Sequence, residues 1–133
     1  MAPCLTCYYD PCVCTQIVLA QRSIVGPFVL PTEAKERKTY PIGTGVLDYF
    51  PDALAEIAHV SWAGNEQHNP GEPLHWARGK STDQADCLIR HFVARGTLDS
   101  DGMRHSAKMA WRALALLQEE LEAEYTRNKT GGV

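Results

Sequence analysis

Apolar residues recur with helical spacing in three segments of the later part of the chain. The first segment, FPDALAEIAHVSWAG, places apolar and small residues at positions i, i+3, i+4, i+7 and i+8, which form one face of a helix. These residues are Leu54, Ile57, Ala58, Ser61 and Trp62. Pro51 suits a first helical turn, and Gly64 with Asn65 predicts the end of this helix.

The two later segments predict two further helices. STDQADCLIRHFVARG begins with Ser81 and Gln84 at capping-box spacing, and Gly96 supplies its stop. The longest helix is predicted from about Asp101 to Tyr125, with apolar residues alternating at spacings of four and three. This seam is Met103, Ala107, Ala110, Leu114, Leu117 and Leu121. Such a seam packs against another helix.

These patterns predict a mainly α fold, a small helical bundle with an extended Cys-rich N-terminal arm. Three amphipathic helices are few for a closed bundle, so we expect oligomerisation to complete the core. We expect four regions: a Cys-rich arm at 1–16, an extended arm or linker at 17–45, a helical domain at 46–125 and a flexible tail at 126–133.

Composition narrows the classes of partner. The 133 residues carry a net charge of −3, which leaves no basic surplus for general nucleic-acid binding. No apolar run reaches the roughly 18 to 20 residues of a membrane-spanning helix, and the N-terminus lacks the pattern of a secretory signal. We therefore expect a cytoplasmic protein.

The N-terminal arm, CLTCYYDPCVC, contains four cysteines within eleven residues. Cys4 and Cys7 form a CxxC pair, a common source of two zinc ligands, whereas Cys12 and Cys14 form a less usual CxC pair. A structural Zn²⁺ and free thiols both remain open. Catalytic thiol chemistry is disfavoured because no histidine lies nearby in the sequence.

The second predicted helix carries a polar face opposite its apolar one. Asp83, Asp86 and Arg90 share this face, with His91 on its flank. Two carboxylates at i and i+3 can hold Mg²⁺ together with substrate phosphate oxygens. The alternative is an ordinary solvated helix face whose acids favour the helix dipole.

Cations suited to a polyphosphate lie along the third helix and before the second. Asp101, His105, Lys108 and Arg112 form one stripe, and Asp99 and Arg104 add charge at its start. Lys80 precedes the second helix, whose free N-terminal amides could also bind a phosphate. An exposed, salt-bridged face is the alternative to a phosphate clamp.

The loop GNEQHNPGEPLHW offers groups that could contact a base or sugar. Glu66 supplies an acid, Asn65 and His68 supply hydrogen-bonding edges, and Trp76 could stack on a base. The alternative for Trp76 is a plug over the core. No Walker loop, dinucleotide fingerprint or nucleophile elbow is present in the sequence.

Three motifs, GNEQHNPGEPLHW, DQADCLIRH and DGMRHSAKMAWRALALL, give the chain a recognisable resemblance. Over roughly residues 36–122 it resembles the phage-associated dATP/dGTP diphosphohydrolase N-terminal family, which is related to MazG-like all-α nucleotide pyrophosphohydrolases. The resemblance implies hydrolysis of a purine dNTP to the monophosphate and pyrophosphate, with Mg²⁺ or Mn²⁺ as cofactor.

The resemblance also implies roles for particular residues. The ExxD motif of the wider group matches Asp83 and Asp86, with Asp replacing Glu, whereas its EExxE motif has only Glu66 near the expected place. These three would be the catalytic and metal-binding carboxylates. The phosphates would lie among Lys80, Arg90, His91, Arg104, His105 and Lys108, and the base or sugar among Asn65, His68 and Trp76.

The missing EExxE motif leaves other functions open. His91 or His105 could complete a reduced metal site, or the chain could bind nucleotides without hydrolysing them. A third hypothesis is a zinc-anchored interaction module whose helices dock a partner.

Overall fold

The computed structural model describes residues 30–131 and divides the chain into two units, Met1–Tyr40 and Pro41–Val133. In the described part of the first unit, helix α1 spans Ala34–Arg37. The Cys-rich arm at 1–16 lies outside the described residues, as does most of the predicted linker. The zinc site therefore stays a prediction.

The second unit consists of helices, which confirms the predicted mainly α fold. Within residues 30–131 there is no strand, only an isolated bridge between Leu98 and Arg104. The elements are a π-helical turn at Gly43–Leu47, α2 at Pro51–His68, α3 at Gln84–Val93 and α4 at His105–Thr130.

Helix α4 packs against both α2 and α3, and hydrogen bonds fix the two contacts. The Trp111 indole Nε1 donates to the Ser61 hydroxyl of α2 at 2.6 Å. The Arg112 guanidinium donates to Gln84 Oε1 of α3 at 2.8 Å. The Gln84 side chain is buried, and buried polar groups of this kind stabilise a fold only when they are paired. These bonds therefore set the register of α4 against its two neighbours.

Helices α2 and α3 differ from the predictions at their ends. Helix α2 continues through Gly64 and Asn65 and ends at His68. The Asn65 side chain does not cap the helix but donates to the Glu72 carbonyl in the loop that follows. The capping-box prediction was wrong. Helix α3 begins at Gln84, and the Ser81 hydroxyl donates to the Asp83 carboxylate at 2.8 Å.

Helix α4 begins later and ends later than predicted. The residues before His105 form a tight turn, in which the Asp99 amide donates to the Met103 carbonyl at 2.7 Å. Gly102 allows this turn because its φ of 80° is readily adopted only by glycine. At the other end the helix continues through Thr130, beyond the predicted end at Tyr125.

Among the described residues, the apolar face between α2 and α4 forms an open groove. Within residues 30–131 no large side chain is fully buried, and Leu114 and Leu117 of the predicted seam are half exposed. They line a groove of about 420 Å³. Its walls are Val46, Phe50, Ala53, Leu54, Ile57, Ala110, Ala113, Leu114 and Leu117. Trp62, placed on the buried face by its spacing, is 55% exposed and stacks on His59.

Small residues form the buried part of α4, and Ala115 is only 3% exposed. We expect Ala115→Leu to lower the free energy of unfolding by about 1 to 3 kcal/mol, because the added atoms overpack the helix contact. Ala123→Leu, at an exposed position of the same helix, is the control. Urea unfolding followed by circular dichroism measures both variants. Equal stability of the two would contradict the packing described here.

Candidate functional site

Two histidines and an aspartate meet where α3 turns into α4. Nδ1 of His91, in α3, lies 2.9 Å from Nδ1 of His105, the first residue of α4. The Asp99 carboxylate lies in the connecting loop, and one ligand atom from each of the three residues falls within 4.8 Å of the others. In the part of the chain that the structure describes, no other group of three such side chains converges this closely.

The loop between the two helices is held by its own backbone. The His105 amide donates to the Thr97 carbonyl at 3.2 Å, next to the bridge between Leu98 and Arg104. Gly96, with φ of 82°, reverses the chain after α3. Because both ends of the loop are fixed in this way, His91 and His105 face each other although they are 14 residues apart.

A lysine joins the two aspartates beside the histidine pair. The Lys108 ammonium lies 2.6 Å from a carboxylate oxygen of Asp99 and 2.6 Å from one of Asp101. The Lys108 hydrogen bond lowers the pKa of Asp99 to about 2 and lowers that of Asp101 as well. Burial lowers the pKa of Lys108, but the two carboxylates outweigh this effect and raise it. All three groups are therefore charged at neutral pH.

The imidazole of His91 has a lowered pKa. Burial is the main cause, and the neighbouring His105 and the Lys108 charge lower it further. Burial disfavours the charged form of an imidazole because that form loses its hydration. His91 therefore favours the neutral form, which has a lone pair available on one ring nitrogen.

A second cluster lies at the start of α3. The Asp83 carboxylate accepts hydrogen bonds from Arg90 at 2.9 Å and from Ser81 at 2.8 Å, and Cys87 donates a longer one at 3.4 Å. The Arg90 bond is the main reason that the pKa of Asp83 falls to about 2. Asp86 is exposed in the first turn of α3.

The cations predicted to clamp phosphates occupy different settings. Lys80 and Arg104 are exposed, before α3 and at the N-cap of α4 respectively. Arg90 forms an ion pair with Asp83, and Lys108 forms ion pairs with Asp99 and Asp101. These positions put positive charge along the α3–α4 hairpin, which comprises residues 80–130.

Asn65 and Trp76, which are predicted to contact the base or sugar, also make contacts within the protein, and their role toward a nucleotide stays a prediction. The buried Asn65 donates to the Glu72 carbonyl at 2.9 Å and accepts from the His75 amide at 3.2 Å. The Trp76 ring packs edge-on against Trp111, and the Arg78 guanidinium lies 4.1 Å from its centre. These contacts support the alternative interpretation, in which Trp76 covers the core.

The family of the chain follows from a direct comparison. A model described as "dATP/dGTP diphosphohydrolase, N-terminal" matches residues 31–129, which is most of the chain. The chain belongs to the dATP/dGTP diphosphohydrolase N-terminal family. No curated protein and no solved structure matches it. No helix in the described range is long and apolar enough to cross a membrane.

Family membership confirms the resemblance, but the three carboxylates assigned to metal do not converge. Glu66 lies half-buried near the end of α2, and Asp83 and Asp86 lie at the start of α3. Within residues 30–131 they do not form a group of ligand atoms as close as the histidine cluster. His68, at the last position of α2, is exposed. The metal role of the carboxylates stays a prediction.

The direct pairing of His91 with His105, next to Asp99, was not predicted from the sequence. The signal was present in DSDG, a turn sequence between two helical patterns, which indicates that the flanking helix ends approach each other. Spacing along single helices cannot show such a contact.

The low pKa of Asp99 gives an expected pH dependence. Since the folded-state pKa of about 2 lies below the ordinary value of 3.8, this carboxylate stabilises the fold at neutral pH. The contribution is lost as the pH falls from about 4 through 2. We expect Asp99→Asn to flatten the decline in unfolding free energy across this range, measured by urea unfolding at successive pH values. Asp48→Asn, at an exposed position, is the control. Parallel pH profiles for wild type and Asp99→Asn would contradict the assignment.

Proposed function

We propose that this protein hydrolyses purine deoxynucleoside triphosphates, dATP or dGTP, to the monophosphate and pyrophosphate with a divalent metal ion. The family match over residues 31–129 carries this proposal. The distribution of charge on the α3–α4 hairpin supports it, because carboxylates and cations alternate there within a short distance of each other. A triphosphate with bound metal needs both kinds of group.

The phosphates would bind to the cations of the hairpin. Exposed Lys80 and Arg104 can reach a ligand without first breaking an ion pair seen in the described range. Arg90 and Lys108 would have to share their aspartates with the incoming phosphates or with metal. His91 and His105 lie close to Asp99, which pairs with Lys108, and could donate hydrogen bonds to phosphate oxygens. His68 remains available for the base or sugar because it is exposed.

Asp83 and Asp86 suit Mg²⁺ or Mn²⁺ by their chemistry, because both ions prefer carboxylate oxygens. Glu66 would be the third carboxylate or the general base. A divalent ion at such a site neutralises phosphate charge and makes bound water more acidic. Within one chain these carboxylates do not yet form a metal site. Asp83 is paired with Arg90, and the ligand atoms of Glu66, Asp83 and Asp86 do not cluster.

A second function class is favoured by this incomplete carboxylate set. A protein that binds a dNTP without hydrolysing it needs the cations of the hairpin but not a gathered metal site. We rank hydrolysis first because the family description names a diphosphohydrolase.

Pyrophosphate release from a panel of eight NTPs and dNTPs, with Mg²⁺, with Mn²⁺ and with EDTA, tests the activity. We expect release from dATP or dGTP that EDTA abolishes. The double variant Asp83→Asn/Asp86→Asn should lower kcat by about a hundredfold, because the proposed ligands of the catalytic ion are lost. Asp48→Asn/Asp52→Asn, which removes two exposed aspartates elsewhere, should retain activity.

Release that is unchanged in the first double variant would remove the metal role of Asp83 and Asp86. No release from any nucleotide, together with tight dATP or dGTP binding by a folded protein, would show the non-catalytic function.

We also propose that the chain assembles as a homo-oligomer through the open groove between α2 and α4. Half-exposed leucines on a groove wall are costly in water, and their burial contributes about 25 cal/mol for each square ångström removed from solvent. A second copy presents the same apolar face, so a two-fold contact would cover both at once.

Light scattering coupled to size-exclusion chromatography tests this assembly. We expect the wild-type protein to elute as an oligomer and Leu114→Glu to shift it to monomer, because a charge would be buried in the contact. Val93→Glu, which changes an exposed apolar residue of α3 outside the groove, is the matched control and should not shift it. A monomeric wild type, or equal shifts in both variants, would contradict the groove contact.

A further inference from the structure

The paired imidazoles of His91 and His105 point ring nitrogens at each other across the hairpin. Each neutral imidazole has one N–H and one lone pair, so at 2.9 Å one ring donates to the other when no ion is bound. In a tetrahedral site, two nitrogens that each lie about 2.05 Å from the ion are about 3.3 Å apart. The observed separation of 2.9 Å is slightly shorter, so a small rotation of the two rings would admit an ion.

The third metal ligand would be the Asp99 carboxylate, which is ionised at neutral pH. Its carboxylate receives hydrogen bonds from the Ser100 amide at 2.7 Å and from Lys108 at 2.6 Å. A carboxylate has about four acceptor positions, so capacity remains for a metal ion. Asp99, Asp101 and Lys108 together carry one net negative charge beside the two imidazoles. Arg112 adds positive charge near His91 but is bound to Ser81 and Gln84.

The cluster is preorganised, which distinguishes it from a chance meeting of exposed side chains. All three donors are partly buried. The loop that carries Asp99 is fixed at both ends by the Thr97–His105 hydrogen bond and the Leu98–Arg104 bridge. Little conformational freedom would be lost when an ion binds, so more of the ligand bond energy would appear as affinity.

We propose that His91, His105 and Asp99 form a binding site for a divalent transition-metal ion such as Mn²⁺ or Zn²⁺. Two imidazoles and one carboxylate suit Zn²⁺, and Mn²⁺ accepts imidazole nitrogen beside its carboxylate ligands, whereas Mg²⁺ prefers oxygen ligands alone. Three protein ligands leave further coordination positions for water or a phosphate oxygen. This site differs from the Asp83, Asp86 and Glu66 set, and it does not depend on the proposed hydrolysis.

Paramagnetic broadening by Mn²⁺ tests the site on the full chain without nucleotide. The sequence contains five histidines, so ring signals in a ¹H–¹³C spectrum can be assigned by changing each histidine to glutamine. Mn²⁺ is the probe because the thiolates of the N-terminal arm favour softer ions. We expect substoichiometric Mn²⁺ to broaden the rings of His91 and His105 before those of His59, His68 and His75.

Affinity measured from the electron paramagnetic resonance of free Mn²⁺ supplies the second readout. His91→Gln, His105→Gln and Asp99→Asn should each raise the Kd about tenfold or more, whereas His59→Gln should leave it unchanged. Thermal unfolding shows which variants are folded, and the wild-type broadening experiment needs no variant to be stable.

Equal broadening of all five rings, no broadening, or broadening confined to the amides at the start of α3 would overturn the proposal. Mn²⁺ binding at the histidines without pyrophosphate release would support this metal site and refute the proposed hydrolysis. Pyrophosphate release with no ion at the histidines would support the hydrolysis and refute the metal site.

Discussion

The Lys108 ammonium between Asp99 and Asp101 is the interaction on which the hairpin depends most. It joins the first turns of α4 to the loop that precedes them, with two contacts of 2.6 Å. Lys108 is largely buried, so its charge must be compensated, and the two aspartates compensate it. Because this triad fixes the loop, it also fixes where His105 lies relative to His91 at the end of α3.

The same helix α4 faces two different environments. On one side it approaches its neighbours closely through alanines, of which Ala107 and Ala115 are the buried apolar residues in the described range. On another side Leu114 and Leu117 line an open groove. Few apolar side chains are buried within residues 30–131, so polar contacts such as Trp111–Ser61 and Arg112–Gln84 also hold the helices together.

Periodicity was sufficient to predict the helical class and the presence of three main helices. Periodicity did not predict where the helices end, because the ends depend on which local partner a side chain binds. Ser81, for example, donates to the Asp83 carboxylate and does not cap a backbone amide. Helical spacing also placed Trp62 on a buried face, whereas the structure shows it 55% exposed and stacked on His59.

The candidate site was predictable only in part. Residues on one helix, such as Asp83 and Arg90, could be placed together from their spacing, and the structure shows them paired. The meeting of His91, Asp99 and His105 depends on the loop conformation, which no periodic pattern encodes. Asn65 and Trp76 are residue types that often contact a nucleobase. In the structure Asn65 also binds the loop after α2, and Trp76 packs against Trp111, and spacing along a helix does not predict these contacts.

We propose that the α3–α4 hairpin binds the phosphates of a purine dNTP, and titration of ¹⁵N-labelled protein with a non-hydrolysable dATP or dGTP analogue and Mg²⁺ measures this binding. We expect the largest amide shifts at the start of α3 and around the loop between His91 and His105. Shifts confined to α2, or no shifts at saturating analogue, would rule out phosphate binding by the hairpin.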